Sequence, residues 1–477
     1  MANGFFRLFD HLLIPAGWVN FSPMSDFPSE APVTIIGGGL AGCEAAWQLG
    51  KNKVPVVLYE MRPEKTTPAH QTGDLAELVC SNSLKSDSLS NASGLIKAEM
   101  EILDSLVVRA ARRSRVPAGS ALAVDRRQFS SRITEAVAGL DTVKVVREEV
   151  EEVPAEGVFI IATGPLTSDS MARTIYGLTG ESRLFFYDAI APIVFTESID
   201  MSVAFRASRY GKGGDDYINC PFYKEDYERF VKELLNARRT PLRDFEKPPY
   251  FEGCLPVEVL AERGRETLAF GPLKPVGIID PATDKRPYAV VQLRQDNREG
   301  TLYNMVGFQT RLARPEQERV FRMVPGLENA EFARYGSIHR NTYLNAPQLL
   351  DVDLSLKSDP RILFAGQISG VEGYLESAAT GILAGINARR KIQGKGPFIP
   401  SQETLIGGLV HYITDPAKAK LEPMNANFGV IAPLPGKHKK AERKKLMAER
   451  AVETLRREAE SAGILTSRRG GIESEQV

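Results

Sequence analysis

Apolar residues and glycines near the start of the chain follow the pattern of a βαβ unit. An apolar run, VTII, begins at Val33, and the turn GGGLAG follows it directly. An Ala-rich stretch with helical spacing, CEAAWQLGK, comes next, and a second apolar run, VPVVLYE, ends at Glu60. Short apolar runs bounded by glycine are typical of buried strands in a parallel sheet. The pattern therefore predicts strand, turn, helix and strand, the first unit of an α/β fold.

The middle of the chain changes to a mixed pattern. Helical spacing covers Asp87–Ala111 and Gln128–Ala138, and GVFIIATGP, Gly157–Pro165, predicts another parallel strand. Beyond it, a helix is predicted over Lys224–Ala237 among short β-like runs, AIAPIVF, LAFGPL, AVVQLR and LYNMVGF. This mixture indicates an inserted α+β domain at 187–334.

Strand-to-helix spacing returns at Arg361–Ile368, RILFAGQI, where a glycine junction precedes a long helical stretch. A second junction of this kind implies that the chain comes back to its first domain. The predicted fold is therefore α/β, a Rossmann-like dinucleotide-binding domain with an inserted α+β domain. Its predicted parts are an N-terminal extension outside the fold (1–31), the first part of the dinucleotide-binding domain (32–186), the inserted domain (187–334), the return part (335–436) and a charged helical tail (437–477), whose last dozen residues have the composition of a disordered segment.

Composition and charge leave the partner of this chain open. Its 477 residues suffice for two or three domains. Sixty basic residues balance sixty acidic ones, so a surface for nucleic acid has to come from local clusters such as Arg109–Arg115 and Lys437–Lys445. Such clusters are also typical of solvated helix faces.

The N-terminal apolar stretch, Phe5–Val19, contains Arg7, Asp10 and His11. It lacks the basic start and cleavage site of a signal peptide, and it is too short to span a membrane. We interpret the stretch as an extension, with Met24 as an alternative start, and a surface helix is the other alternative. No membrane partner is expected.

The four cysteines, Cys43, Cys80, Cys220 and Cys254, lie far apart and form no CxxC pair. This argues against a structural zinc site and indicates free thiols in a reducing cytoplasm. The five histidines also lack the spacing of metal ligands, so we expect no metal ion. Cys43 is expected in the core, and Cys254 is expected to be structural.

The strongest local motif is the GxGxxG turn formed by Gly37, Gly39 and Gly42. Gly37 permits the tight turn, Gly39 lets a pyrophosphate approach the backbone, and Gly42 allows close packing of helix on strand. The helix N-terminus attracts phosphate, and Glu60 can accept hydrogen bonds from a ribose. The other residues of this turn, Gly38, Leu40 and Ala41, are also expected to contact the cofactor.

Two further glycine junctions favour FAD over a nicotinamide cofactor. They are the ATG that ends at Gly164 and the AGQ that contains Gly366 and Gln367. Both junctions are common in flavoproteins, whereas a dehydrogenase that binds only a nicotinamide cofactor needs neither. We therefore predict that the first domain binds FAD.

Two cysteines are candidates for chemistry. Cys80 lies in ELVCSNSLKSD, a polar loop with Lys85 nearby, and Cys220 lies in GDDYINCPFYKED before a helix. Lysines and helix N-termini favour the reactive thiolate. A single loop cysteine is nevertheless more often inert, so the residues alone leave both roles open.

Together, the motif blocks resemble the folate- and FAD-dependent tRNA uracil-5 methyltransferases, the TrmFO family, which is related to GidA. The blocks are VTIIGGGLAGCEAA, ELVCSNSLKSD, INCPF, FEGCLPVEV, FGPLKPVG, QLRQDN, NMVGFQT, HRNTYLNAP and FAGQISGVEGYLESAATG. The resemblance covers about Pro32 to Leu455. It implies a GidA-like FAD-binding fold.

The resemblance also implies a reaction. 5,10-Methylenetetrahydrofolate donates a one-carbon unit, FAD carries and reduces it, NAD(P)H supplies electrons, and C5 of the T-loop uridine in tRNA is methylated. C5 of uracil is a poor nucleophile until a thiolate adds at C6, and a base must then remove the C5 proton. No protein partner is required.

The resemblance assigns the two functional cysteines to Cys80 and Cys220, one from each domain, which predicts a site at the domain interface. Cys220 is the preferred nucleophile and Cys80 the base, with the opposite assignment left open. Lys85, Arg294 and Tyr343 are candidate contacts of RNA or folate by motif membership. The target uridine is stacked inside folded tRNA, so the enzyme has to extrude it.

Three alternatives stay open. The same chemistry on ribosomal RNA is not separated from tRNA by any motif. A GidA-like RNA-modifying flavoprotein would need a partner GTPase. A flavoprotein dehydrogenase acting on small molecules would leave the basic tail and the cysteines without a task.

Overall fold

The computed structural model describes residues 31–465, except for gaps at 68, 181–183, 212–213, 242–249, 251–254 and 437. Three features discussed above lie outside the described residues. They are the N-terminal extension up to residue 30, Cys254, and the last twelve residues.

Strands and helices are numbered in chain order. The strands are β1 (Val33–Ile36), β2 (Val56–Tyr59), β3 (Ser83–Ser86), β4 (Arg115–Val116), β5 (Ala121–Val124), β6 (Val143–Val146), β7 (Phe159–Ile161), β8 (Leu184–Ile190), β9 (Ile193–Phe195), β10 (Phe205–Ala207), β11 (Tyr217–Phe222), β12 (Ala289–Gln295), β13 (Leu302–Met305), β14 (Phe332–Arg334), β15 (Ser337–Tyr343), β16 (Ser355–Leu356) and β17 (Asp359–Phe364). The helices are α1 (Leu40–Gly50), α2 (Ala92–Ile102), α3 (Leu106–Arg113), α4 (Arg126–Ala138), α5 (Asp169–Thr179), α6 (Lys224–Asn236), α7 (Val257–Glu262), α8 (Thr267–Phe270), α9 (Arg314–Phe321), α10 (Ala346–Leu349), α11 (Tyr374–Ile392), α12 (Leu405–Ile413) and α13 (Lys440–Ser461). Within the described ranges, none of these helices is both long enough and apolar enough to cross a bilayer.

A six-stranded sheet in the order β16-β17-β7-β1-β2-β6 forms the centre of the first domain. Strands β17, β7, β1, β2 and β6 are parallel, and β16 pairs antiparallel at one edge. Strands β16 and β17 follow the inserted domain in the sequence, so the chain returns to its first sheet as the second glycine junction predicts. This arrangement confirms the Rossmann-like α/β fold.

Helices α1 and α11 meet at backbone contact beside this sheet. A side chain at Gly381 would place its Cβ 2.3 Å from the carbonyl oxygen of Ala41, and one at Gly385 would lie 2.9 Å from the Cα of Ala45. Only glycine permits such an approach, because any Cβ would occupy the gap. The contact seats the start of α1 directly against α11.

The inserted domain has a sheet and a core of its own. Its strands follow the order β10-β11-β12-β13-β9-β14, with antiparallel pairing throughout. Alternate residues of β11, namely Ile218, Cys220 and Phe222, join Phe230 of α6 and Phe308 in a buried cluster. The other face of this sheet contacts the first domain.

A two-stranded ribbon carries the chain between the two domains. Strands β8 and β15 pair antiparallel from Leu184 opposite Tyr343 to Ile190 opposite Ser337. The predicted boundary at 187 falls inside β8, and the one at 334 falls at the end of β14. The division into domains at those residues stays a prediction.

Two secondary-structure predictions were wrong. The helical spacing of Asp87–Ala111 is divided between α2 and α3, because Asp104 adopts a left-handed backbone (φ 58°) and Ser105 caps the next helix. Glu44 of α1 accepts hydrogen bonds from the N–H groups of Leu106 and Val107. These first N–H groups of α3 have no partner within the helix, so a distant carboxylate supplies one. The run LAFGPL, predicted as β-like, contains α8 instead.

Gly381→Ala tests the contact between α1 and α11. Alanine is favoured over glycine inside a helix by about 1 kcal/mol. At this position, however, its Cβ would meet the Ala41 carbonyl, and overpacking of this kind costs about 1–3 kcal/mol. We expect urea unfolding to show a net loss of stability.

The matched control is Gly177→Ala. Gly177 is also helical, in α5, but a Cβ there meets no atom within 4 Å. That variant should be as stable as the parent or more stable. Equal stability changes in the two variants would show that the close approach of α1 to α11 is not a constraint.

Candidate active site

The glycine turn after β1 is packed on one side and open on the other. A Cβ at Gly37, where φ is +106°, would lie 2.5 Å from the Ala162 carbonyl oxygen, and a Cβ at Gly42 would lie 1.9 Å from the Gly37 carbonyl oxygen. A Cβ at Gly39 would meet no atom within 4 Å. Gly37 and Gly42 are therefore required by packing, whereas Gly39 faces open space at the N-terminus of α1.

This open space belongs to a groove of about 1030 Å³, which we call the nucleotide groove. Eight of the ten residues predicted to bind the cofactor line it: Gly37, Gly39, Leu40, Ala41, Glu60, Gly164, Gly366 and Gln367. The other two lie behind its wall, since the Gly38 N–H is bonded to Glu60 and Gly42 packs on Gly37. The fold thus brings both glycine junctions to one groove.

Glu60 is positioned as an ionised acceptor at the end of β2. Its carboxylate accepts hydrogen bonds from the Gly38 N–H (2.9 Å), the Arg62 N–H (3.0 Å) and Arg62 Nε (2.9 Å). Burial on its own raises the pKa of Glu60, but the side chain, charge and N–H of Arg62, with the N–H of Gly38, hold that pKa below its ordinary value. A buried carboxylate at this position can accept further bonds from ribose hydroxyls.

A second cavity of about 920 Å³ adjoins the nucleotide groove. The two share Val79, Pro165, Leu166, Gln367 and Tyr374 in their walls. We call the second one the thiol cavity, because its wall includes the half-buried Cys80. A ligand in one cavity would therefore be adjacent to a ligand in the other.

The backbone of Cys80 is held from two sides. Its N–H donates to the Tyr374 hydroxyl (2.7 Å), and its carbonyl accepts from Arg126 Nη2 (2.9 Å). Arg126 Nη1 also donates to the Leu78 carbonyl (2.6 Å). Since the main chain is fixed at both ends of the residue, the position of the sulfur is set by the fold rather than by a free loop.

The same arginine joins this segment to the inserted domain. Arg126 Nε lies 3.0 Å from both carboxylate oxygens of Asp296. From β12, Arg294 donates to Asn82 Oδ1 and Ser81 Oγ, each at 2.8 Å. The predicted ligand contact Arg294 is thus a buried bridge between the domains, and the Cys80 segment lies at the domain interface.

Carboxyl groups surround the rest of the thiol cavity. Burial raises the pKa of Glu372 well above its ordinary value, and the neighbouring Asp188 and Glu376 raise it further. Gln367 Nε2 donates to Glu372 at 2.6 Å. Burial, and then the charge of Arg334, lower the pKa of His339 to about 4, so that its ring is neutral near pH 7. The cavity therefore combines a carboxyl group that holds its proton more tightly than usual and a neutral imidazole with the side chain of Cys80.

Cys220 is not brought to this cavity. It is fully buried in β11, opposite Val291 of β12, on the strand face that packs into the core of the inserted domain. Burial, and then Glu328, raise the pKa of its thiol. On the same strand, Tyr217 and Asn219 alternate to the opposite face. The geometry gives no support to a catalytic role for Cys220, which stays a prediction from the resemblance.

The remaining sequence candidates have different surroundings. Lys85 lines the thiol cavity with an exposed side chain, and its Nζ lies 3.8 Å from Glu376 Oε1. Tyr343 is buried at the end of β15 and lines neither cavity. In the described part of the chain, no three His, Cys, Asp or Glu side chains converge as metal ligands.

Sequence reasoning missed Arg126, Glu372 and Tyr374. The last two lie in the block GVEGYLESAATG, which supported the resemblance without giving its residues individual roles. Arg126 lies in none of the motif blocks and is separated from Asp296 by 170 positions. A single sequence offers no signal for such a pair.

Comparison with solved structures shows the fold. GidA from Aquifex aeolicus aligns with a TM-score of 0.67 at 16% identity in its form II crystal, covering 91% of this chain and 74% of that one. Its form I crystal gives a TM-score of 0.68 at the same identity. The predicted GidA-like fold is therefore confirmed.

Comparison of sequences shows the family. The family model described as glucose inhibited division protein A matches residues 32–396. The methylenetetrahydrofolate–tRNA-(uracil-5-)-methyltransferase TrmFO of Geobacter sulfurreducens is 60% identical over 89% of this chain and 98% of its own length. The protein of the same name from Heliobacterium modesticaldum is 57% identical over 89% of this chain and 97% of its own length. The chain therefore belongs to the glucose inhibited division protein A family and, within it, to the TrmFO family that its motif blocks indicated.

Proposed function

We propose that this protein is a flavin-dependent enzyme that methylates C5 of uridine in tRNA, with methylenetetrahydrofolate as the one-carbon donor. The observation that carries the proposal is the junction of the nucleotide groove with the thiol cavity. A dinucleotide site alone would fit many oxidoreductases. A fixed cysteine in an adjoining cavity is what activation of a uracil ring needs.

The relatives support this choice of reaction. Those of Geobacter sulfurreducens and Heliobacterium modesticaldum carry the name of this activity and align over nearly their whole length. The GidA crystal structures share the fold at 16% identity. The proposal of a GidA-like modification subunit is accordingly less well supported than that of a methyltransferase.

The residues of the nucleotide groove fit FAD. Gly39, Leu40 and Ala41 present the open N-terminus of α1 to a pyrophosphate, and Glu60 presents an ionised carboxylate to a ribose. Gly366 and Gln367 form the wall near the thiol cavity. When bound, FAD supplies reducing equivalents and carries the one-carbon unit.

Cys80 supplies the thiol in this proposal. Addition of its sulfur to C6 of uracil makes C5 nucleophilic. After the new carbon–carbon bond forms, the C5 proton is removed and the C6–S bond breaks, which releases the thiolate and restores the C5=C6 double bond. The charged groups of Arg126, Arg294 and Arg334 interact with the Cys80 sulfur, and so does the carboxyl group of Glu372. Asp188, Glu372 and Glu376 line the same cavity and are the candidates to accept the C5 proton.

The finer parts of the proposal follow the family resemblance. They are the T-loop uridine as the target, NAD(P)H as the electron source, a cytoplasmic location and activity without a protein partner. The direct experiment incubates the purified FAD-loaded protein with methylenetetrahydrofolate, NADH or NADPH, and unmodified tRNA or rRNA transcripts. Methyl incorporation at C5 of tRNA uridine, lost when folate or FAD is omitted, is the expected result. Incorporation only into rRNA would overturn the choice of substrate.

Gly39→Val tests the nucleotide groove. The backbone of Gly39 (φ −76°, ψ −170°) suits any residue, and a Cβ there touches no protein atom, so the variant should fold normally. Its side chain would nevertheless occupy the space of the pyrophosphate. We expect FAD affinity to fall at least about a hundredfold, or about 2.8 kcal/mol, in a fluorescence titration.

The control for this variant is Gly177→Val, which adds the same side chain at another open position, on α5. It should bind FAD like the parent. Undiminished FAD binding by Gly39→Val would place the cofactor elsewhere.

Cys80→Ala and Cys220→Ala separate the two thiols. We expect Cys80→Ala to keep its flavin and lose methyl transfer by a factor of at least about 10³, because the nucleophile of the cavity is gone. We expect Cys220→Ala to lower stability by about 1–2 kcal/mol through the lost sulfur packing, with kcat within about threefold of the parent.

Urea unfolding and single-turnover methylation measure both effects. A folded Cys220→Ala protein without activity would show that Cys220 acts, as the resemblance implies. Full activity of Cys80→Ala would remove Cys80 from the mechanism.

A further inference from the structure

One part of the inserted domain exposes an unusual number of large apolar side chains. Of the eleven such side chains exposed among the described residues, five lie on or against residues 270–280, a segment that begins with the last residue of α8. We call them the aromatic surface: Tyr210, Tyr223, Phe270, Val276 and Ile279. Phe270 is 82% exposed and Tyr210 is 64% exposed. Exposed apolar groups concentrated in this way mark an interaction surface.

Contacts hold the members of this surface on one segment. The Tyr210 N–H donates to the Gly277 carbonyl (3.3 Å), and a Cβ at Gly277 would lie 2.8 Å from the Tyr210 nitrogen. The Tyr223 hydroxyl donates to Asp280 Oδ2 (2.5 Å). Residues 270–280 therefore include Phe270, Val276 and Ile279. The same segment is hydrogen-bonded to both tyrosines, through Gly277 and Asp280.

Tyr210 is held in a backbone conformation that tyrosine rarely adopts. Its φ of 60° and ψ of 23° lie in the left-handed region, which is unfavourable for a residue with a Cβ. The close contact with Gly277 maintains this conformation. The consequence is an aromatic ring presented to solvent on a fixed main chain.

Cationic side chains accompany the aromatic surface. Lys274, Lys285 and Arg286 are exposed in the same segment and the turn after it. Arg209, next to Tyr210, adds a further positive charge, although its Nε and Nη2 atoms are buried and have no hydrogen-bond partner among the described residues. Aromatic rings interleaved with cations suit a polyanion that offers unpaired bases, as single-stranded or looped RNA does.

Hydrogen bonds connect this surface to the active site. The strand that follows Tyr210 begins at Tyr217, whose hydroxyl donates to the Ala118 carbonyl (3.1 Å), and Asp216 accepts from the Gly119 N–H (2.6 Å). In the same turn, the Ser120 carbonyl accepts from the N–H of Asp87, in the segment that carries Cys80 (3.0 Å). The strand that follows Tyr210 and the segment that carries Cys80 are thus hydrogen-bonded to the same turn of the first domain.

We propose that the aromatic surface and its cations bind the tRNA substrate away from the target nucleotide, by stacking on unpaired bases and pairing with phosphates. This inference rests on the proposed function for the identity of the RNA. A second copy of the chain fits less well, because a twofold interface pairs the same patch with itself, so that a patch carrying Lys274, Lys285 and Arg286 would face another that carries the same cations.

The test compares two surface variants with matched controls. Tyr210→Asn with Phe270→Ser removes both rings, and asparagine tolerates the left-handed backbone. Lys274→Glu reverses one charge. The controls are Tyr176→Ser, which removes a 54% exposed ring on α5, and Lys395→Glu, which reverses an exposed charge in the first domain.

The measurements are Kd for an unmodified tRNA transcript, its dependence on salt, and kcat and KM for methyl transfer. We expect the ring variant to raise Kd and KM at least about tenfold with kcat within twofold. Lys274→Glu should weaken binding and reduce the slope of log Kd against log salt by about one. Neither control should change these values.

The outcomes separate this inference from the proposed function. Unchanged Kd and KM in both surface variants, with active parent protein, would overturn the inference alone. If the parent binds tRNA but does not methylate it, and the surface variants lose that binding, the inference is supported and the proposed function is overturned. A parent that does not bind tRNA would overturn both. A parent dimer that the ring variant converts to monomer in sedimentation velocity, with tRNA affinity unchanged, would assign the surface to a second copy.

Discussion

The backbone contact between α1 and α11 is the constraint on which the nucleotide groove depends. The two helices come from opposite ends of the first domain, and Gly381 and Gly385 let them approach until the Ala41 carbonyl fills the space of a side chain. This approach places the turn after β1 beside Gly366, whose own Cβ would lie 3.0 Å from that of Ala41. Two glycine junctions separated by hundreds of residues thereby become one wall.

A second constraint sets the position of the Cys80 sulfur. The Cys80 main chain is held by Tyr374 from α11 and by Arg126 from α4, while Asp296 of the inserted domain holds Arg126 in turn. Breaking a buried ion pair of this kind leaves a charge without its partner, which costs several kcal/mol. The inserted domain therefore has a structural task in the site, because it fixes the arginine that fixes the cysteine.

Burial and charge then give the two cavities different chemical characters. In the nucleotide groove, Arg62 and backbone N–H groups keep Glu60 ionised, which suits an acceptor for sugar hydroxyls. In the thiol cavity, burial and neighbouring carboxylates favour the protonated form of Glu372, which suits a proton donor. The difference follows from the partners of each carboxyl group rather than from its residue type. The thiol cavity therefore presents a carboxyl group that holds its proton more tightly than usual, whereas the nucleotide groove presents an ionised one.

The sequence by itself determined the features that depend on neighbours along the chain. The order of strand, glycine turn and helix, the acceptor at Glu60, the return of the chain at β17 and the family were all readable, because local spacing and motif blocks carry them. Tertiary structure alone decided which face of β11 Cys220 occupies, that Asp104 ends a helix, and that Arg126 meets Asp296. A strand side chain changes faces with a shift of one residue, and an ion pair across 170 positions has no local signature. The identity of the cavity thiol therefore required the fold, although the presence of a dinucleotide turn did not.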